Sequence, residues 1–241
     1  MAHLRALLFN LLFCLVTAFY AILGLPVLLF GADAVYALCR LWVGTTLRLL
    51  RLLVGLDHRV VGRERVPKEP VIFAVKHQSS WETLALAVLL DRPIYVLKRE
   101  LIWIPIFGLY LLGSGALAVD RAAGAKALRQ LIRAAEQAAK SGRPFLIFPE
   151  GTRVAPGQHR PYQPGIAALY DKLNRPVVPV ALNSGLFWGR RSFLKKPGRI
   201  TVEFLEPIPA GLDRRRFMKE LEARLEGASQ RLLQSPAKPA E

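Results

Sequence analysis

Acidic side chains are scarce in this chain. It has 18 Asp and Glu against 34 Lys and Arg in 241 residues, a formal net charge of +16. A chain this basic seeks anions, and nucleic acid and an anionic lipid leaflet both qualify. Cysteine is scarcer still. Cys14 and Cys39 are the only two, both lie in the apolar N-terminal region, and neither has a Cys or His at metal-ligand spacing. A disulfide framework and a zinc site are thereby excluded, and both cysteines read as packing residues. There is no internal repeat. From Ala6 to Phe30 charge of either sign is missing, and Asn10 and Thr17 are the clearly polar side chains.

That uncharged run is long enough to cross a bilayer core as a helix, for which about 20 apolar residues suffice. Gly24 and Pro26 interrupt it, which predicts a kink or a reversal. A second apolar stretch, Ala34 to Gly55, carries Arg40, Arg48 and Arg51 at spacings that share one helix face. A basic stripe on a leucine-rich helix suits the headgroup boundary. A cleaved signal peptide is the alternative, and Ala32-Asp33-Ala34 resembles its cleavage site, but the apolar run exceeds the usual ~7–15 residues. The arginines place the rest of the chain on the cytoplasmic side, whether the anchor spans the membrane or enters one leaflet as a hairpin. Mean hydropathy is +0.27, and 22% of residues are charged. A water-facing domain with an apolar attachment fits both values.

After residue 56, short β-branched runs alternate with longer helical patterns. The predicted strands are Arg59–Val61, Val71–Lys76, Ile94–Lys98, Ala116–Val119, Phe145–Phe148, Val177–Leu182 and Ile200–Phe204. The predicted helices are Trp81–Leu90, Ala122–Lys140, Pro164–Leu173 and Arg214–Leu233. Near-continuous apolar strands between helices indicate an α/β fold, a largely parallel mixed sheet of about seven strands flanked by helices. The expected division is 1–56 for two membrane-anchoring helices and 57–241 for the α/β domain. In such sheets ligands bind beyond the carboxyl ends of strands.

Four strand ends carry candidate chemistry. After the first comes Lys76-His77-Gln78-Ser79-Ser80-Trp81-Glu82, where a sharp turn can return Glu82 to the imidazole. A carboxylate that holds one ring nitrogen leaves the other as a base for a hydroxyl. Ser79-x-x-Glu82 also fits a capping box, so the carboxylate could serve only the helix. The second is Phe148-Pro149-Glu150-Gly151-Thr152-Arg153, whose arginine fork suits a phosphate dianion, or which is an ordinary salt-bridged turn. The third is Gly115 to Asp120-Arg121, which could equally be a solvated helix start. The fourth is the Val177-Val178-Pro179-Val180 strand, which reads as core. A further cluster, Arg190, Arg191, Lys195, Lys196 and Arg199 with Phe187, Trp188 and Phe193 interleaved, suits an anionic leaflet or nucleic acid.

The order and spacing of the four blocks resemble the glycerolipid acyltransferase family. Its pattern is a histidine, four residues and an acid, then a Gly-x-x-x-x-Asp-Arg-like block, Phe-Pro-Glu-Gly-Thr-Arg, and Val-Pro-Val. The likeness runs from His77 to Leu182, and Glu82 departs from the family's usual aspartate. It implies an O-acyltransferase that moves a fatty acyl group from a thioester to the sn-2 hydroxyl of 1-acyl-glycerol-3-phosphate, for phospholipid synthesis. It implies His77 as base and Glu82 as its orienting acid. Arg121, Glu150, Gly151, Thr152, Arg153 and, more weakly, Lys98 would hold the acceptor. No metal or cofactor is expected, since acyl-CoA or acyl carrier protein is a co-substrate. The expected partners are lysophosphatidate and an anionic membrane, without nucleic acid, at the cytoplasmic face of a bacterial inner membrane. Another lyso-lipid acceptor, such as lyso-ornithine lipid, is the rival substrate. A membrane-tethered nucleic-acid-binding protein is the rival of another class.

Overall fold

The computed structural model describes residues 2–120 and 123–234. The uncharged run forms helix α1 (Ala2–Leu23). The chain then reverses through a 3-10 segment, Leu25–Phe30, that Pro26 opens. Gly24 allows this reversal because a Cβ there would meet the Leu38 side chain at 2.3 Å and the Tyr20 carbonyl at 2.5 Å. Helix α2 (Ala32–Leu49) returns alongside α1 and ends in a π-helical turn, Leu50–Val54. Gly55, at φ +74°, then stops the helix in the left-handed conformation that favours glycine. The expected two-helix reversal is therefore present, and Arg40, Arg48 and Arg51 are all exposed. By length and composition α1 alone among the described helices could cross a membrane. Leu4, Leu11, Leu15, Phe19 and Leu23 project outward along it.

Seven strands follow: β1 (Leu56–Val61), β2 (Ile72–Val75), β3 (Ile94–Lys98), β4 (Leu117–Val119), β5 (Phe145–Ile147), β6 (Val177–Leu182) and β7 (Gly198–Phe204). They form one sheet in the order β1-β7-β6-β2-β5-β3-β4. The five strands from β6 to β4 are mutually parallel. β7 pairs antiparallel with β6, and β1 runs parallel to β7, so these two oppose the rest. The helices after α2 are α3 (Trp81–Leu89), α4 (Phe107–Gly113), α5 (Gly124–Ala139), α6 (Pro164–Leu173) and α7 (Arg214–Gln234). Helix α4 is not expected from the sequence, because about two apolar turns after Pro105 have too little periodicity to read.

Each central strand is apolar on both sides because both faces are covered. Ile72, Ala74, Phe145, Ile147, Val177 and Ala181 face a core closed by Leu131 of α5, Ile166 of α6 and Phe217 and Leu221 of α7. Phe73, Val75, Leu146, Val178 and Val180 face a second core with Trp81 and Leu86 of α3. Phe9 of α1 belongs to that second core and is fully buried. Its ring meets Trp188 edge-on at 5.7 Å. Burial of a large aromatic stabilises by roughly 1.5–3 kcal/mol, which ties the apolar helix firmly to the sheet domain. Lys195 lies over the Trp188 ring at 4.9 Å. The basic-aromatic cluster thus turns Trp188 inward against α1 and leaves Phe193 exposed.

Candidate active site

Three neighbouring strands, β6, β2 and β5, end side by side. β2 delivers His77 after one further ladder bond, from the Lys76 N–H to the Val180 carbonyl at 3.0 Å. Gln78 to Ser80 then turn the chain into α3, where Glu82 lies in the first turn. The Ser79 hydroxyl accepts from the Trp81 N–H at 3.0 Å. The Glu82 carboxylate reaches back to the Ser79 N–H at 2.5 Å and the Gln78 N–H at 2.7 Å. Glu82 thus braces the turn ahead of the helix rather than closing a full capping box, because the cap residue is Ser80 and it has no side-chain cap bond. The same oxygen lies 3.0 Å from His77 Nδ1. One carboxylate oxygen therefore both braces the turn and contacts the imidazole.

Glu82 is fully buried, and its second oxygen accepts from the Ser184 hydroxyl at 2.7 Å. Such a carboxylate, fixed by four donors, cannot swing away from the imidazole. It selects the tautomer with the proton on Nδ1, leaving a lone pair on Nε2. Among the described residues Nε2 has no hydrogen-bond partner. The imidazole side chain is 13% exposed and stacks on Phe148 with ring centroids 4.0 Å apart. The phenyl ring keeps water off one face of the base.

The β5 end turns tightly. The Gly151 N–H donates to the Phe148 carbonyl at 2.9 Å, and Gly151 has φ +70°. The turn carries Glu150 inward, where it is 1% exposed. One of its oxygens lies 2.8 Å from the Lys76 ammonium, and the other accepts from the His77 N–H at 3.2 Å. Burial pushes the Glu150 carboxyl above its ordinary value, against the pull of Lys76. Lys76 also contacts Glu226 of α7 at 2.6 Å, and the Tyr162 hydroxyl donates to that carboxylate at 2.8 Å. A buried cation on two carboxylates thus fixes the chain on either side of the histidine backbone. Arg153 donates from Nη1 to the Ser80 hydroxyl at 2.7 Å. The next residue, Val154, donates its N–H to the His77 carbonyl at 2.8 Å.

The structure therefore brings His77, Glu82, Glu150, Gly151 and Arg153 into one constellation, with Thr152 half-buried beside them. Lys98 ends β3, the other neighbour of β5, and is exposed. Asp120 follows the edge strand β4 and pairs with Arg99 at 3.1 Å. Arg121 lies outside the described residues. Lys76, Ser184 and Glu226 were missed. A lysine at the end of an apolar strand and a serine just past the Val-Pro-Val strand were the available signals, whereas Glu226 carries none. Among the described residues no cluster of His, Cys, Asp or Glu could hold a metal ion.

Comparisons with known proteins point one way. Residues 57–183 match the family model described as Acyltransferase. The chain is 36% identical over 185 residues to a 1-acyl-sn-glycerol-3-phosphate acyltransferase of Pseudomonas aeruginosa, across 77% of this chain and 72% of that protein. It is 29% identical to the protein of the same name in Saccharomyces cerevisiae, across 66% of this chain and 54% of that one. The chain thus spans about half the length of the yeast relative. The solved structure of a 1-acyl-sn-glycerophosphate acyltransferase from Thermotoga maritima superposes with a TM-score of 0.81 over 99% of this chain, at 21% identity.

Proposed function

The chain belongs to the acyltransferase family, and from that premise we propose that it transfers a fatty acyl group from a thioester to the sn-2 hydroxyl of 1-acyl-glycerol-3-phosphate, making phosphatidic acid. The relatives' printed names supply the acceptor. The observation that carries the chemistry is the His77–Glu82 pair at 3.0 Å, with Nε2 unpartnered among the described residues.

Nε2 removes the proton from the acceptor hydroxyl. The alkoxide oxygen forms a bond to the thioester carbonyl carbon, giving a tetrahedral oxyanion. As that intermediate collapses the carbon–sulfur bond breaks, and the imidazolium returns the proton to the thiolate. Glu82 stabilises the imidazolium between these transfers. The acceptor itself is the nucleophile, so no acyl-enzyme is needed. Ser79 and Ser80 are occupied, one accepting from the Trp81 N–H and the other from Arg153.

Arg153 binds the acceptor phosphate, since its guanidinium stands beside the histidine loop and has donors to spare. Gly151 and Thr152 shape the turn that presents it. Lys98 adds positive charge at the end of β3, and family resemblance assigns Arg121 to the acceptor as well. Glu150 acts at one remove, because both its oxygens are engaged inside the protein. Its role is to position the His77 backbone. The apolar α1 and the exposed arginines of α2 support membrane association, with the sheet domain on the cytoplasmic face of a bacterial inner membrane.

The test is acyl transfer by the purified full chain in mixed micelles. Lysophosphatidate and lyso-ornithine lipid are each crossed with acyl-CoA and acyl carrier protein donors. Phosphatidic acid from lysophosphatidate is expected with at least one donor. Turnover of lyso-ornithine lipid alone would refute the acceptor.

A further inference from the structure

Arg153 has a second neighbourhood. It opens a cavity of about 360 Å³ whose walls are Arg153, Val154, Ala155, Gln158, His159, Arg160 and Arg190. The cavity starts at the catalytic loop, because Val154 is bonded to the His77 carbonyl. Arg160 comes from the loop before α6, and Arg190 from the loop after β6. Three guanidiniums thus converge from two separate loops on one concavity. Some arginines elsewhere are answered by carboxylates, as Arg214 is by Asp171 at 2.6 Å and Arg99 by Asp120. Among the described residues Arg153, Arg160 and Arg190 form no ion pair. Glu222 pairs with His159 of the cavity wall at 2.6 Å. A concavity with this much uncompensated positive charge is built for a multiply charged anion.

The charges are graded outward. Arg153 is half-buried near the histidine, while Arg160 and Arg190 are exposed. The acceptor phosphate sits on the carbon next to the one bearing the reacting hydroxyl, so the innermost arginine can serve it. The phosphates of a thioester donor lie at the far end of a pantetheine arm, away from the reacting carbonyl. We infer that Arg160 and Arg190 hold the phosphates of the acyl donor, leaving Arg153 to the acceptor. This assignment rests on the acyl-transfer reading above. The shared chemistry is a phosphate ester on pantetheine, carried by either coenzyme A or acyl carrier protein.

The test uses the full chain with Arg160→Ala and Arg190→Ala combined, and Arg129→Ala on exposed α5 surface as a charge control. KM is measured for palmitoyl-CoA, palmitoyl-acyl carrier protein and palmitoyl-pantetheine, which lacks phosphate. Screened, exposed contacts of this kind are expected to raise KM for palmitoyl-CoA on the order of tenfold. KM for palmitoyl-pantetheine and lysophosphatidate stays unchanged, and the control behaves as wild type. A parallel rise for the carrier protein assigns the site to the pantetheine phosphate. A rise for CoA alone assigns it to the nucleotide phosphates. A raised KM for lysophosphatidate, an equal loss with all three donors, or no change would each overturn the inference. Titration of coenzyme A alone gives a readout without turnover. It should bind the wild type more tightly than the double variant, so a failure of this site is distinguishable from a failure of the acyl-transfer reading.

Discussion

Replacing Glu82 with glutamine removes one charge and changes almost nothing else, so it separates the electrostatic role of this carboxylate from its bracing of the turn. The glutamine carbonyl can still accept from the Gln78 and Ser79 N–H groups and from His77 Nδ1–H. Its amide can donate to the Ser184 hydroxyl. The two backbone donors dictate that orientation, so the imidazole tautomer is retained. What is lost is the ionic half of the interaction. Hydrogen bonds to charged groups contribute about 1.5–3 kcal/mol and neutral ones about 0.5–1.5 kcal/mol. A loss of about 1–2 kcal/mol sets a floor near tenfold in kcat. When the imidazolium forms, the Glu82 oxygen lies 3.0 Å from its ring nitrogen. Coulomb attraction at that separation and an effective dielectric of about 20 is roughly 5 kcal/mol, a ceiling of several thousandfold. Glu82→Gln should therefore lower kcat between about tenfold and several thousandfold. The melting temperature should stay within a few degrees of wild type. The assay is initial-rate acyl transfer alongside thermal unfolding. Activity within about twofold of wild type would show that the carboxylate only braces the turn, and the orienting role would be wrong.

Arg153→Ala should raise KM for lysophosphatidate by about tenfold or more while leaving a phosphate-free acceptor little affected; an equal effect on both would remove its phosphate role. Lys76→Met strands two carboxylates, and breaking a buried pair costs about 3–5 kcal/mol, so the melting temperature at neutral pH should fall by roughly 6–20 °C. Burial already raises Glu150 from its ordinary value of 4.5, and loss of the lysine removes the group that opposes this. A carboxyl whose folded value is raised stabilises the fold below its unfolded value and loses that contribution as pH rises through the folded one. The Lys76→Met deficit should therefore shrink as pH is lowered toward about 4.5, read as melting temperature against pH relative to wild type. Phe9→Ala should cost about 3–5 kcal/mol and speed hydrogen exchange in the loop around Trp188. Unchanged exchange would mean that α1 is not held by that contact.

Much of the fold was legible because its signals are local. Seven apolar strands and the helices between them follow from periodicity, and the reversal at Gly24 and Pro26 follows from backbone chemistry. β1 begins three residues before its expected start at Arg59, because Leu56 to His58 pair with β7, which no local pattern reveals. The reversed direction of β7 is equally a matter of tertiary pairing. In the site, His77, Glu82 and Arg153 could be picked out because their residue types suit the chemistry and their motifs are contiguous. Ser184 could not, since it meets Glu82 across 102 positions of sequence. Glu226 lies on a helix rich in exposed charges, and only α7 packing on the sheet brings it to Lys76. Glu150 looked like a substrate ligand in the motif, but the tight Gly151 turn directs it into the protein instead.

The central claim is that His77 is the base in transfer to a lyso-lipid. It is tested most directly by comparing wild type and His77→Ala, reconstituted at equal density in the same vesicles, for formation of phosphatidic acid from lysophosphatidate. General base catalysis contributes about 10²–10⁴ in rate. The variant should bind the vesicles as wild type does and form product at least about a hundredfold more slowly. Equal rates from the two proteins would contradict the account.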